Sequence, residues 1–515
     1  MTTAIIGIDG ATFRVIDEHR KSLPTFDVLM SNGYSSTLRS TDPPTTSVAW
    51  PAFATGRNPG AYGIYDFMNR DPKSMDFFLN DARERLEEFF WQYMDESTGL
   101  GSIPIIPYHS VDGFFIQGSL ARINEDQITD PPSLADHIPR DYDYRIDWRD
   151  DNSEIVAGVK RRVEARKQFF LDLVRTYDLG CYFLMFNAVD HIQHHFWAYM
   201  DDTHPAHQDS PHEETILDIY RAVDDAVGAI IDELPDDTNV ILASDHGFMR
   251  NEMEINLNAL LSERGYLKFN VSASGSVLTT LHDTVKKYLS YEQITTLLPK
   301  TLQDTLRSQM PINENIHEAI DWDRTQAYSF GVMPNIYVNL QGRESTGTVS
   351  QDEYNSLLEE LSSMLLSLTD SNGERMFEEV KYGSDIYDGP FEDTAPDIIL
   401  IPAEGRYCKG NIGDRVFSKK TYPMPNSGVH EHDGIFVAAG PDVEPNDERP
   451  DGSHDIVDVA PTVLQLNGYN PPDSFDGTAI EAAIGRADGD LRPADRAERR
   501  RIADRVLAMK QLGYI

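Results

Sequence analysis

Asp190 and His194 stand four residues apart in NAVDHIQHHFW (187–197), and His191 and His195 repeat that spacing one position on. On a helix each pair shares a face, because residues four apart lie one above the other. A carboxylate stacked with an imidazole offers two cation ligands, and so does a pair of imidazoles; the stretch alone does not choose between them. Further acids and histidines stand elsewhere: Asp9 in GIDG, Asp245 and His246 in ASDHGF, and His430 and His432 in SGVHEHDGIF. Taken singly, each has a plain structural role, a turn after a strand for Asp9 and SDHG or a helix cap for Asp190. Together Asp9, Asp190, His194, Asp245, His246 and a histidine of the last segment make the oxygen and nitrogen donor set of a two-cation hydrolytic centre. Its ligands must come from separate elements, since each ion takes three or four and the ions stand about 3.5–4 Å apart.

PPTTSVAWPAFATGRNPGAYGIYDF (43–67) adds hydroxyls. Thr45, Thr46 and Ser47 precede a helix-like run, where backbone N–H groups and the helix dipole favour a phosphoryl group. The same residues suit an ordinary helix cap. TGRNPG lacks the GK[ST] ending of a Walker A loop.

The elements that must position these groups are legible as apolar runs. TAIIGID, CYFLMFNAVD, TNVILASD, PDIILIP and GIFVAAGP read as short strands ending in acids or small residues. ETILDIYRAVDDAVGAIIDEL reads as an amphipathic helix with Ile216, Ile219, Tyr220, Val223, Val227, Ile230 and Ile231 on one face. Strands alternating with such helices predict an α/β fold, a three-layer α/β/α sandwich on a mostly parallel sheet, with ligands at the carboxyl ends of the strands. The reading is one catalytic domain over 1–515, with cap or insertion elements at 68–155 and 252–330 and a charged C-terminal helix over 491–515. No internal repeat is found.

With 85 Asp+Glu against 45 Lys+Arg, the chain carries a formal net charge of -40, which argues against bulk nucleic-acid binding. The acids are dispersed, a pattern suited to a high-salt cytoplasm such as that of a haloarchaeon. Hydrophobic residues at 40% supply a core, and two cysteines, Cys181 and Cys408, exclude a disulfide framework or a cysteine-built zinc site. The N-terminal run lacks signal-peptide features and no apolar stretch reaches about 18 residues, so a cytoplasmic protein without a membrane segment is expected.

The ordered set GIDG, PPTTSVAWPAFATGRNPGAYGIYDF, DHIQHHFW, ASDHGF, SGVHEHDGIFVAAGP and DIVDVAPTVLQLNGY resembles the alkaline phosphatase superfamily, in its type I phosphodiesterase/nucleotide pyrophosphatase branch. Most narrowly it resembles the predicted phosphohydrolase/phosphomutase group, to which WDRTQAYSFGVMPNIYVNLQGRESTGTVSQDEY is also similar. The resemblance implies the roles. Thr46, nine residues before the Thr55-Gly56 pair, falls on the nucleophile, on one metal with Asp9, Asp245 and His246. Asp190 and His194 fall on the D-x-x-x-H motif of the other metal, completed by His430 rather than His432. His191 and His195 become bystanders. Two departures are visible: Ala49 stands where nucleotide pyrophosphatases carry a phosphoryl-binding Asn, and Tyr62 where a His is frequent.

What this implies is a metal-dependent phosphoric ester hydrolase, a phosphodiesterase working through a phosphothreonine intermediate. Two divalent ions are expected, zinc first, with manganese or magnesium as alternatives. The substrate would be a small-molecule, glycan-linked or lipid-linked phosphate ester. A phosphomutase would use the same ligands. A sulfatase is disfavoured by the absence of a C/S-x-P-x-R segment, and a non-catalytic scaffold has no reason to keep two costly clusters of acids and histidines.

Overall fold

Thr2–Ile8, Cys181–Phe186 and Thr238–Ala243 are runs of apolar and small residues with hardly a polar interruption, and all three are buried along their whole length. Such runs suit strands covered on both faces, as in a parallel sheet. In this computed structural model, which describes residues 2–79, 88–118, 128–143, 145–147, 150–270, 316–410, 415–420, 426–485 and 491–493, they are the centre of a nine-stranded sheet. Its strands are β1 (Thr2–Ile8), β2 (Tyr34–Arg39), β3 (Thr98–Gly101), β4 (Gly113–Ile116), β5 (Thr129–Asp130), β6 (Cys181–Phe186), β7 (Thr238–Ala243), β8 (Asp433–Ala439) and β9 (Ser453–Asp455). The spatial order is β9-β2-β8-β7-β1-β6-β3-β4-β5. β8 runs against β2 and β7, and β5 against β4; every other pairing is parallel.

Helices cover both faces, which makes the three-layer α/β/α sandwich. The longer described helices are α1 (Phe13–His19), α2 (Pro24–Asn32), α3 (Thr46–Thr55), α4 (Asn152–Thr176), α5 (Ala188–Met200), α6 (Thr215–Ile231), α7 (Leu257–Arg264), α8 (Gln351–Leu366) and α9 (Val459–Leu466), of which α7 and α8 lie off the central sheet. One core lies between the sheet and α1, α2, α4, α5 and α6; the other lies between the sheet and α3 and α9. α6 buries Ile216, Ile219, Tyr220, Val223, Val227 and Ile230, the face expected from its spacing. α3 comes close because β1 carries Gly7: a Cβ there would stand 2.1 Å from Met185 Sδ and 3.0 Å from the Trp50 ring.

β3, β4 and β5 come from 98–130, inside the stretch expected as a cap. Runs as short as TGLG and GFFI give little apolar signal, yet they extend the sheet from β6 outward. A third core gathers α7, α8 and a four-stranded antiparallel sheet of Ala327–Tyr328, Asn335–Val338, Ile398–Pro402 and Phe377–Tyr382. Within the predicted element over 252–330, residues 271–315 lie outside the described residues, as do 494–515 of the predicted C-terminal helix. Among the described residues no helix is long and apolar enough to cross a membrane.

The hairpin at Met68–Arg70 is tied to the third core by a buried ion pair. The Arg70 guanidinium meets Glu344, donates to the Tyr328 hydroxyl at 3.2 Å and covers the Tyr337 ring at 4.5 Å. Glu344 also accepts from Arg343 at 2.9 Å. Removing one partner of a buried pair costs about 3–5 kcal/mol, because the other charge stays desolvated. Glu344→Ala is therefore expected to lower unfolding stability by roughly that amount, measured by denaturant titration; a loss below about 1 kcal/mol would show that the guanidiniums find other acceptors.

Candidate active site

Asp9, Asn187 and Ser244 are the residues that follow β1, β6 and β7, three neighbouring parallel strands, so the chain delivers them to one edge of the sheet. Asp9 N–H continues the ladder to Phe186 O at 2.9 Å, and Asp190 N–H closes back on Asp9 O at 3.1 Å. Gly10 turns the chain with φ +70°, a conformation that favours glycine, and its N–H donates to Asp245 Oδ1 at 3.2 Å. A Cβ on Gly10 would stand 3.1 Å from Asp190 Cα, so the two strand ends approach closely only with glycine there.

Two clusters form at this edge. Asp9, Asp245 and His246 are all buried, with one ligand atom of each within 4.8 Å of the others. His246 Nε2 lies 3.3 Å from Asp245 Oδ2 and 3.7 Å from Asp9 Oδ1. Thr46, the first residue of α3, brings its Oγ to 3.4 Å from Asp9 Oδ1 and 3.3 Å from His246 Nε2. The second cluster is Asp190, His194 and His430, with Asp190 Oδ1 at 3.4 Å and 3.2 Å from the two Nε2 atoms. α5 supplies Asp190 and His194, and the strand Gly428–Glu431 supplies His430. The structure thus brings all seven residues singled out in the sequence into two adjoining groups.

The hydrogen bonds behind the imidazoles test whether cations fit. His194 Nδ1 faces Gly428 O at 2.9 Å, His430 Nδ1 faces Pro44 O at 3.1 Å, and His246 Nδ1 faces Gly247 O at 3.1 Å. A carbonyl only accepts, so each ring carries its proton on Nδ1 and turns the Nε2 lone pair into the cluster. The Nε2 atoms of His194 and His430 then face each other at 3.0 Å, two lone pairs when both rings are neutral. Asp190 Oδ1 and Asp245 Oδ2 are buried without a hydrogen bond. Lone pairs and carboxylate oxygens converging in a buried site fit a positive ion, and the imidazole and carboxylate donors suit zinc.

Electrostatics agree. Burial raises the Asp9 carboxyl well above its ordinary range, and the nearby Asp245 and Asp190 charges raise it further. Burial, then Asp190, raises Asp245. Burial holds the His246 and His430 imidazoles low, whereas at His194 burial is outweighed by the Asp190 charge, which raises the imidazole. A cavity of about 380 Å³ opens on the site, with Asp9, Thr46, Asp190, His194 and His430 on its lining, Asn187, His191 and Asn426 as further polar groups, and Phe67, Val332, Met333 and Tyr407 as a largely apolar wall.

His191, His195 and His432, the other histidines of these segments, have other partners. His195 Nε2 meets Asn152 Oδ1 at 3.1 Å. His432 Nε2 lies 2.6 Å from Asp42 Oδ1; burial pushes the Asp42 carboxyl up, and His432, Arg39 and Lys381 outweigh that and hold it low. His191, expected from the resemblance to be a bystander, lines the cavity and bonds through Nδ1 to Arg162 at 2.9 Å. Burial, then Arg162, pushes its imidazole down to about 3. Sequence reasoning missed Asn187 and Arg162. Arg162 had a signal: with Ile155, Val159 and Arg166 it occupies the 4-3-4 spacing of a core stripe, where a charged residue calls for a partner.

A mostly parallel α/β/α sandwich, with acids and imidazoles gathered at its strand ends beside a helix-terminal hydroxyl, has the build of an alkaline phosphatase-like enzyme. The chain belongs to the type I phosphodiesterase/nucleotide pyrophosphatase family, whose sequence profile matches residues 3–433, and it is a phosphoric ester hydrolase. No curated protein matches it in sequence. Among solved structures, murine ectonucleotide pyrophosphatase/phosphodiesterase 5, in an inactive form in complex with AMP, is 13% identical, with a TM-score of 0.50 over 94% of this chain and 100% of that one. The human protein of that name is 14% identical at a TM-score of 0.50 over the same shares. Phosphonoacetate hydrolase from Sinorhizobium meliloti 1021, in complex with phosphonoformate, is 12% identical at a TM-score of 0.52, over 89% and 94% of the two chains. At these identities the likeness is one of fold.

The raised carboxyls have a stability consequence in metal-free protein. An acid whose folded pKa exceeds its unfolded value of about 3.9 keeps protons that the unfolded chain has lost, so stability falls as pH rises from about 4 towards neutrality. Asp245→Asn removes one such group. In chelator, the variant is expected to gain on wild type in unfolding free energy as pH rises from 5 to about 7; parallel pH profiles would show that burial does not raise this carboxyl.

Proposed function

We propose that the protein is a phosphodiesterase that works through a covalent phosphothreonine on Thr46, with one divalent cation held by Asp9, Asp245, His246 and Thr46 and another by Asp190, His194 and His430. The observation that carries this reading is the position of Thr46 Oγ, within 3.4 Å of both Asp9 and His246 at the mouth of a helix. Bound cations, zinc being favoured by the donor set, would neutralise charge on the phosphoryl oxygens and lower the pKa of the hydroxyl.

The chain's own groups do the rest. Asp9 and His246 aim Oγ into the cavity. α3 begins at Thr46 with no side-chain cap, and Val48 N–H already bonds to Thr45 O at 2.9 Å, so the N–H groups of Thr46 and Ser47 and the positive end of the dipole are left for the phosphoryl oxygens. Oγ attacks phosphorus and its proton passes to water; the bond from phosphorus to the departing ester oxygen breaks, and that oxygen takes a proton from water. A second water then cleaves the phosphothreonine, restoring the hydroxyl and releasing the phosphate product. Phe67, Val332, Met333 and Tyr407 form a wall suited to an apolar or aromatic ester group.

The test is hydrolysis of bis-p-nitrophenyl phosphate against p-nitrophenyl phosphate, with added zinc or manganese, in molar salt to match the net charge of -40. Diester turnover should exceed monoester turnover. Thr46→Ala should lower it about a thousandfold or more with bound metal retained, while Thr46→Ser keeps measurable turnover. Full activity in Thr46→Ala would remove the covalent mechanism.

A further inference from the structure

The beginning of α5 carries two polar stripes. Asp190 and His194 make one; Asn187 and His191, also four residues apart, make the other, and both of these line the cavity. We propose that Asn187 and His191 bind the oxygens of the tetrahedral phosphoryl group, with Arg162 as the positioning residue behind His191. This rests on the reading of Thr46 as the nucleophile.

Asn187 is the N-cap residue of α5, where an Asn side chain ordinarily accepts from the N–H of the second or third helical residue. Here the third N–H, that of Asp190, goes to Asp9 O, and the Asn187 side chain makes no cap bond. Its amide is 8% exposed, its Oδ1 is buried without a hydrogen bond, and the residue faces the cavity. Oδ1 only accepts, so what this amide offers a phosphoryl oxygen is its Nδ2 hydrogens, which no hydrogen bond among the described residues engages. The register puts it beside Asp9, which itself touches Thr46. Ala49, one turn into α3, is fully buried and offers no polar group.

His191 is turned the opposite way from the ligand histidines. A guanidinium only donates, so the 2.9 Å contact with Arg162 makes His191 Nδ1 an acceptor and places the ring's proton on Nε2. His194, His246 and His430 present lone pairs; His191 presents an N–H. That N–H finds no acceptor in Asp190, whose Oδ2 is 4.0 Å away. An imidazole N–H and an amide N–H on one helix face, lining the same cavity as the Thr46 hydroxyl, are what a phosphoryl oxygen needs. Arg162, buried on α4, fixes the tautomer.

The experiment uses full-length protein loaded with zinc and reads metal content, bis-p-nitrophenyl phosphate kinetics and competitive inhibition by inorganic phosphate. Asn187→Ala and His191→Leu should keep their metal, yet lose about tenfold or more in kcat/KM and in phosphate affinity. His191→Gln, whose terminal amide reaches the place of Nε2, should recover most of that loss. Arg162→Leu should resemble His191→Leu and add little to it in the double variant. Phosphate affinity within about twofold of wild type in both single variants would overturn the inference, as would loss of metal in either. Thr46→Ala is the separate check: if it stays active, the nucleophile reading falls, while phosphate affinity still reports on Asn187 and His191.

Discussion

Asp9, Asp190 and Asp245 are three carboxylates buried side by side at the ends of adjacent parallel strands. Nothing in a hydrophobic fold favours that. Each acid loses hydration and feels the others, and in an interior of low polarity both effects disfavour the charged forms. The arrangement is stable as an ionised cluster only with compensating positive charge, and the surrounding structure is arranged around that requirement. Three imidazoles are held by backbone carbonyls so that they supply lone pairs and not protons. Glycine at position 10 allows the first and second acids to approach.

The fold meets the requirement with rigid parts. β1, β6 and β7 are buried along their lengths, so Asp9 and Asp245 leave the ends of hydrogen-bonded strands, while Asp190 is held in the first turn of α5 with its N–H on Asp9 O. α3 and α5 both begin at the site, with Thr46 as the first residue of one and Asp190 in the first turn of the other. A helix start gives free N–H groups and the positive end of a dipole, which favour anionic side chains and anionic ligands alike. The same geometry that makes the cluster tolerable in the fold makes it suited to phosphate chemistry, which depends on placing positive charge where oxygens accumulate negative charge.

Much of this was legible in the sequence, for physical reasons. Strands buried on both faces must be nearly continuous apolar runs, so TAIIGID, CYFLMFNAVD and TNVILASD stood out, and each put its acid at a strand end. Strand direction and sheet membership leave no such mark. GIFVAAGP is a strand as read but runs antiparallel to its neighbours, and PDIILIP belongs to the antiparallel sheet of the third core. β3 and β4 are short and glycine-containing, and their stretch read as a cap. Within the site, the spacing of Asp190 and His194 was visible, whereas the role of His191 depends on Arg162, 29 residues away on another helix. The proton on an imidazole is decided by what stands behind it, which a linear pattern does not carry.

The most direct test of the account is the number of metal ions per chain, counted by elemental analysis after dialysis of zinc-loaded protein, for wild type, Asp245→Asn and Asp190→Asn. Two ions are expected in wild type and one in each variant, because each carboxylate belongs to a different cluster. Wild type without tightly held metal, or two ions retained in both variants, would contradict the claim that these buried acids are kept for cations.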